Sequence, residues 1–159
     1  MNKIVLMALA LAASGASAAS YVTSNAATKT ATIVVDASQG TAGGGLNFNG
    51  VVKGAKSFTV PAGWNVVMQF KNLGMLAHSA IVVKGTTPPV SVAEKDAAFP
   101  GAYTSMVMKG LPMNAAATVK FKAATAGNYL LICGVPGHAL GGQYLGFKVV
   151  AGAKAATYQ

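Results

Sequence analysis

The segment from Gly127 to Val150 contains the only cysteine of the chain and one of its two histidines. Within it, an apolar run from Tyr129 to Cys133 stands between a glycine and a Gly-Val-Pro-Gly turn. This pattern predicts a buried strand that ends in a tight loop. The loop leads to His138, and Gln143 opens a second apolar run. We therefore expect a thiol, an imidazole and an amide to face one point at the ends of two strands.

These donors suit a soft metal ion. A thiolate and two imidazoles in a trigonal plane, with a weak axial contact, are the ligands of a blue copper site. The second imidazole would come from His78, which stands in Leu-Ala-His-Ser-Ala directly before an apolar run, because the chain has no other histidine. Zinc is the alternative, since two histidines, a cysteine and one more donor also hold zinc tetrahedrally.

Three motifs make the chain similar to the sulfocyanin and rusticyanin branch of the cupredoxins. They are Gly-x-Tyr-x-x-x-Cys leading into Cys-x4-His-x4, an upstream Ala-His-Ser, and Leu-Asn-Phe-Asn-Gly at residues 46–50. The resemblance covers residues 46–150. It implies one type 1 copper ion with His78, Cys133 and His138 as equatorial ligands. It also puts Gln143 where the family usually has an axial methionine, which resembles a stellacyanin-type site.

Two neighbours of these residues, and Gln143 itself, are expected to tune the site. Ser79 follows the first histidine, as in the family it resembles, and its hydroxyl could tie the two ligand loops together. Pro136 has no N–H group to donate to the thiolate, which would raise the reduction potential. The amide oxygen of Gln143 is a harder donor than a thioether, favours Cu(II) and would lower the potential.

The function predicted from this site is one-electron transfer between redox proteins, without enzymatic activity. Val135, Pro136 and Leu140 surround His138 and predict a docking surface through which electrons pass. The expected partners are proteins of a respiratory chain, such as a cytochrome c or a terminal oxidase, with acidic or apolar docking surfaces. The protein is expected to be a monomer.

A cysteine and two histidines could also serve in other kinds of site. A cysteine hydrolase would need an Asn or Asp to orient its histidine, and none is evident. A binuclear copper centre would need a second cysteine. A periplasmic copper chaperone or storage protein is the main alternative, and it would need exchangeable ligands that are open to solvent.

The first 18 residues resemble a secretory signal. A lysine near the start precedes an apolar core at residues 4–13, and Ala16-Ser17-Ala18 fits a cleavage site. The apolar core is shorter than the roughly 20 residues needed to span a membrane. We predict an exported, periplasmic or extracellular protein with a flexible arm at 19–29, one cupredoxin domain at 30–152 and a tail at 153–159.

The charge distribution is strongly one-sided. All twelve basic residues are lysines and only three residues are acidic, which gives a net charge of +9. Such a charge favours acidic partners. The absence of arginine and of basic clusters interleaved with aromatic residues argues against DNA or any other nucleic acid as a partner. Because acid unfolding mostly reflects the protonation of paired carboxylates, we also expect tolerance of an acidic environment.

The rest of the chain predicts an all-β protein, a Greek-key β-sandwich. Alternating apolar residues and turn signals mark short strands, which lie at residues 30–37, 46–52, 57–60, 65–72, 80–83, 118–122 and 144–150. Trp64 is expected to pack in the core or at its rim. Ser91 to Glu94 fits a capping box, which predicts one short helix to about Ala98. Met106, Met108 and Met113 fit either gap-filling residues or soft Cu(I) ligands.

Overall fold

The computed structural model describes residues 20–159, so the predicted signal segment lies outside the described residues. Within them the chain forms strands β1 (Val22–Asn25), β2 (Thr30–Ala37), β3 (Ser57–Pro61), β4 (Asn65–Asn72), β5 (Ile81–Lys84), β6 (Ala116–Lys122), β7 (Gly127–Ile132), β8 (Tyr144–Val150) and β9 (Thr157–Tyr158). No helix in this part of the chain has the length and apolar character needed to cross a membrane.

The strands form two sheets. One has the order β1-β2-β4-β6 and the other the order β5-β7-β8-β3-β9. The pairs β2/β4 and β3/β8 are parallel, whereas the remaining pairs are antiparallel. This architecture confirms the predicted all-β sandwich. Strand β7 is paired on both sides, with β5 and with β8. The segment that carries His78 leads into β5, and the segment that begins with Cys133 connects β7 to β8, so both are anchored by paired strands.

The core lies between the two sheets and follows the predicted alternation. Side chains of β2, β3, β4 and β8 are buried at every second position. The largest of them are Ile33, Phe58, Met68, Phe70, Leu145 and Phe147. Burying such a side chain contributes roughly 1.5–3 kcal/mol. Trp64 is 7% exposed and belongs to this core, as predicted. The packed sheets give the site a rigid base.

The strand predicted at residues 46–52 is not formed. Phe48 makes only isolated bridges, to Ala37 and Val51. The side chain of Asn49 replaces a neighbouring strand, because its Oδ1 accepts from the amide of Asp36 at 2.7 Å and its Nδ2 donates to the carbonyl of Val34 at 2.9 Å. An asparagine amide can satisfy backbone groups in this way, so the segment forms a loop that is fixed to the edge of β2.

The helix predicted at residues 91–98 is also wrong. Only a 3₁₀ turn forms there, at Glu94–Asp96, and Asp96 rather than a serine accepts from the amide of Ala93, at 2.8 Å. The chain after the turn is extended along the edge of β5, where the amide of Ala98 donates to the carbonyl of Val82 at 2.8 Å. Pairing with a strand edge replaces the hydrogen bonds that a helix would have made.

Both ends of the described chain contribute strands beyond the predicted domain limits. Strand β1 lies in the segment predicted to be a flexible arm, and it pairs with β2. Strand β9 lies in the predicted tail and pairs with β3. The ring of Tyr158 packs 4.6 Å from that of Phe58 and 5.2 Å from that of Tyr21. Aromatic pairs of this kind contribute about 0.5–1.5 kcal/mol, so the two ends close one side of the sandwich.

Candidate metal centre

Three side chains with metal-binding atoms meet at one end of the sandwich. The Sγ of Cys133 lies 3.9 Å from the Nδ1 of His78 and 3.6 Å from the Nδ1 of His138. The two Nδ1 atoms are 3.2 Å apart. Metal–nitrogen and metal–sulfur bonds of about 2.0–2.3 Å in a trigonal plane place the donors about 3.5 Å apart. The three atoms therefore have the spacing of one trigonal metal site.

The end of β7 positions Cys133. Its amide donates to the carbonyl of Gln143 at 3.1 Å, which continues the β7/β8 pairing by one residue. The Sγ atom accepts from the amide of Ser79 at 3.4 Å. Burial raises the pKa of the Cys133 thiol, and the amide of Ser79 opposes this effect. A bound metal ion would deprotonate the thiol despite its burial.

His78 is completely buried and is held from two sides. Its backbone exchanges hydrogen bonds with Leu111, at 3.1 and 2.7 Å. The preceding loop is fixed by Asn72, whose Nδ2 donates to the carbonyls of Leu76 and Leu111 and whose Oδ1 accepts from the amide of Gly74. The imidazole therefore has little freedom to move when a metal binds or changes its charge.

A serine that the sequence did not point to determines the tautomer of His78. The Nε2 of His78 lies 2.8 Å from the Oγ of Ser38, and that hydroxyl donates to the carbonyl of Gly45 at 2.5 Å. Because a hydroxyl has one hydrogen, Ser38 must accept from Nε2–H. The lone pair of Nδ1 is then directed at Cys133 and His138. A Cβ at Gly74 would collide with the Ser38 side chain, so this arrangement requires glycine there.

His138 lies on the surface side of the site. It is half-buried, and the turn that carries it is closed by a hydrogen bond from its own amide to the carbonyl of Val135 and by another from the amide of Gln143 to its carbonyl. Pro136 and Leu140, on either side of it in the chain, are exposed. Burial lowers the pKa of His138 and also lowers that of His78, to about 4, with the nearby His138 as a second cause.

Gln143 brings a fourth potential donor to the site. It is fully buried, and its Nε2 donates to the carbonyl of Asn47 at 3.0 Å. Among residues 20–159 its Oε1 has no hydrogen-bond partner, although the Gln143 side chain tends to raise the pKa values of both imidazoles. A buried carbonyl without a partner costs about 1–3 kcal/mol. A cation between the imidazoles and this oxygen would satisfy it, so the residues present fit a bound metal ion.

The structure places Ser79 between the two ligand loops. Its hydroxyl donates to the carbonyl of Val107 at 2.7 Å, accepts from the amide of Gly134 at 2.9 Å and lies 3.9 Å from the Sγ of Cys133. Pro136 is exposed on the loop after Cys133, and Val135 beside it is partly buried. Thus the residues that the sequence predicts around the metal site lie on the loop of His78 and Ser79, on the loop that begins at Cys133, or at Gln143.

Comparison with known proteins identifies the family. The model of the Sulfocyanin (SoxE) domain matches residues 14–159. A sulfocyanin from Sulfolobus acidocaldarius is 33% identical over 119 residues, which is 71% of this chain and 59% of that protein. The match therefore spans less than two thirds of the length of this curated relative.

Solved structures show the same fold. Auracyanin A, a "blue" copper protein from Chloroflexus aurantiacus, superposes with a TM-score of 0.53 at 25% identity, over 76% of this chain and 99% of that one. A rusticyanin variant superposes with a TM-score of 0.58 at 24% identity, over 77% and 78% of the two chains. The match to the sulfocyanin family and the histidine–cysteine cluster together indicate one type 1 copper ion as the cofactor. The chain belongs to the sulfocyanin family of cupredoxins.

Proposed function

We propose that this protein is an exported electron carrier with one type 1 copper ion and no enzymatic activity of its own. The observation that supports it most directly is the triangle of Nδ1, Nδ1 and Sγ atoms, together with a buried amide oxygen that lacks a hydrogen-bond partner in the described part of the chain. Bound copper would supply the one-electron chemistry by alternating between Cu(II) and Cu(I). His78, Cys133 and His138 would hold it, with Gln143 as a further donor.

The packing of the donors suits a carrier. An electron-transfer site works well when its ligands need not move between the two oxidation states, and rigid supporting elements provide this. The hydrogen bond from His78 to Ser38 and the backbone pairing with Leu111 fix His78, whereas the end of β7 and the amide of Ser79 fix Cys133. A chaperone or storage protein would need ligands that exchange with solvent, but two of the three donors are completely or almost completely buried.

The electron would leave through the side that carries His138. Val135, Pro136 and Leu140 lie on the same loop as this half-buried imidazole, and Leu140 is 56% exposed. An apolar, exposed surface of this kind permits brief contact with a redox partner. The net charge of +9 would favour partners with acidic surfaces. We propose a respiratory partner such as a cytochrome c or a terminal oxidase, bound by a monomer of this protein.

The predicted signal at residues 1–18 supports export to the periplasm or exterior. The few carboxylates support function in an acidic environment there. Burial raises the pKa of the Asp36 carboxyl, against the opposing effect of Lys71. A carboxyl with a raised folded-state pKa takes up its proton more readily in the folded protein than in the unfolded chain. Its titration therefore favours folding as the pH falls, so it adds no acid-labile stability.

Voltammetry of the copper-loaded protein tests the electron-carrier function. We expect one reversible one-electron couple, its loss in Cys133→Ser, and electron exchange with an added cytochrome c that slows as the salt concentration rises. Release of copper to a Cu(I) chelator distinguishes the chaperone alternative. Slow release supports the carrier, whereas release within seconds together with an irreversible couple would favour the chaperone.

A further inference from the structure

Met106 and Met108 present two thioethers at the surface beside the copper site. Their side chains are 47% and 46% exposed, so they do not fill the core. Together with Glu94 and Lys109 they line one open depression of about 350 Å³. The sequence permitted either gap-filling or Cu(I) binding for these methionines, and their exposure shows that they do not fill a gap in the core.

The turn that carries the two methionines is firmly held. Val107, between them, is completely buried, and the amides of Lys109 and Gly110 both donate to the carbonyl of Met106. The amide of Val107 donates to the Oε1 of Glu94 at 3.3 Å. This hydrogen bond brings one of the three carboxylates of the chain to the turn. Two residues with a soft thioether and one with a carboxylate thus line the same depression.

This turn also packs against both ligand loops. The carbonyl of Val107 accepts from the hydroxyl of Ser79, next to His78, and a Cβ at Gly134, next to Cys133, would overlap the Val107 side chain. A Cβ at Gly110 would lie 2.7 Å from the backbone nitrogen of His78. The turn that lines the depression therefore contacts the backbone of His78 and the residues next to His78 and Cys133.

We propose that Met106, Met108 and Glu94 form a surface site for Cu(I), from which the ion passes to the buried donors. Thioethers are soft ligands that prefer Cu(I). They carry no proton to lose, so the site would also work in acid, and Glu94 supplies a negative charge that Lys109 partly offsets. On transfer, Cu(I) exchanges thioether sulfur for the Sγ of Cys133, the thiol proton passes to water, and no oxidation state changes. The transfer of the ion to the buried donors depends on the proposed function, because it assumes that these donors bind copper.

Binding of silver(I), a redox-inert monovalent analogue of Cu(I), tests the proposed surface site. We would titrate it into protein already loaded with Cu(I) and follow methionine methyl groups labelled with ¹³C by NMR. The methyl signals of Met106 and Met108 should shift, whereas that of Met75, which is 90% exposed, should not. The Met106→Leu/Met108→Leu variant should bind silver at least about tenfold more weakly, since even the loss of groups outside a coordination shell weakens metal binding by that much.

Two matched variants sharpen this test. Met75→Leu removes an exposed thioether elsewhere and should bind silver like the wild type, whereas Lys109→Gln removes the opposing charge and should bind it more tightly. An equal loss in Met75→Leu, or unchanged binding in the double variant, would overturn the site.

The transfer step has a separate measurement. Copper-free protein would be mixed with Cu(I) held by a weak chelator, then oxidised, and the thiolate-to-copper absorption band read at successive times. The double variant should take up copper about tenfold more slowly than wild type and Met75→Leu, by the same estimate for the loss of a metal-binding group. All three proteins should reach the same final intensity of the band. Equal loading rates would contradict the transfer. Absence of the band in every protein would contradict the proposed function, and the silver titration would still decide the surface site.

Discussion

His78 and His138 occupy opposite environments although their Nδ1 atoms are only 3.2 Å apart. His78 is completely buried, its backbone pairs with Leu111, and its Nε2 is held by Ser38. His138 is half-buried, and within the described residues the polar contacts of its side chain are with the other donors. The difference shows how one site can combine a fixed geometry on the inner side with access for a partner on the outer side.

The sharpest test of this contrast removes each imidazole. His138→Gly should open a gap to solvent, so added imidazole should enter and restore the thiolate-to-copper band. His78→Gly should not be rescued, because its gap is closed by Ser38 and Leu111, and it should lose about 2–5 kcal/mol of folding stability as large core truncations do. Absorption spectra with and without imidazole, and denaturant unfolding, measure both effects. Equal rescue of the two variants would contradict the contrast.

The second prediction concerns the hydrogen bond that holds His78. Ser38→Ala leaves the buried Nε2–H without an acceptor, which should cost about 1–3 kcal/mol of stability. It should also weaken copper binding about 10–100-fold, as the loss of a group that orients a metal ligand does. Ser24→Ala is a matched control, because its hydroxyl accepts from the amide of Ala156 at 2.7 Å, far along the chain from the site. Competition with a chelator should show unchanged copper affinity in this control.

The third prediction concerns the axial position. Gln143→Met replaces a hard amide oxygen by a soft thioether, which favours Cu(I), so the reduction potential should rise. Gln143→Leu, which offers no axial donor, should raise it as well. Redox titration against mediators of known potential measures all three proteins. A wild-type potential equal to or above that of Gln143→Met would remove Gln143 from the coordination of copper.

The fourth prediction, with the smallest expected effect, concerns how the folding stability of the copper-free protein depends on pH. Burial lowers the pKa of His78 to about 4, below its ordinary value of 6.5. Between these values the unfolded chain binds more protons than the folded protein, so the free energy of unfolding should fall as the pH falls through this window. NMR titration of the two imidazoles and thermal melts at several pH values would detect it. An ordinary pKa for His78 would show that it is not held in the buried environment described above.

Much of the site could be predicted from local sequence. The Cys-x4-His spacing, with strands on both sides, determines where Cys133 and His138 lie, and the shortage of histidines leaves His78 as their companion. Ser38 could not be found in this way. It lies 40 residues before His78, and its contact depends on a left-handed backbone at Ser38 (φ 57°) and on the missing side chain of Gly74.

The parts of the fold that sequence reasoning missed have a common cause. Alternating apolar residues predicted the central strands, because one face of each strand is buried. The segment at residues 46–52 and the segment after the 3₁₀ turn were assigned wrongly, since hydrogen bonds to distant partners decide their conformation. Asn49 bonds to β2, and Ala98 bonds to β5. Local patterns contain no information about such partners.

The most direct test of the type 1 copper site is a titration of the purified copper-free protein with Cu(II), followed by visible absorption and EPR spectroscopy, alongside Cys133→Ser. We predict an intense thiolate-to-copper band that saturates at one equivalent, with the EPR signal of a type 1 site, and the loss of both in the variant. Weak copper binding without the band, or a band that survives in Cys133→Ser, would contradict it.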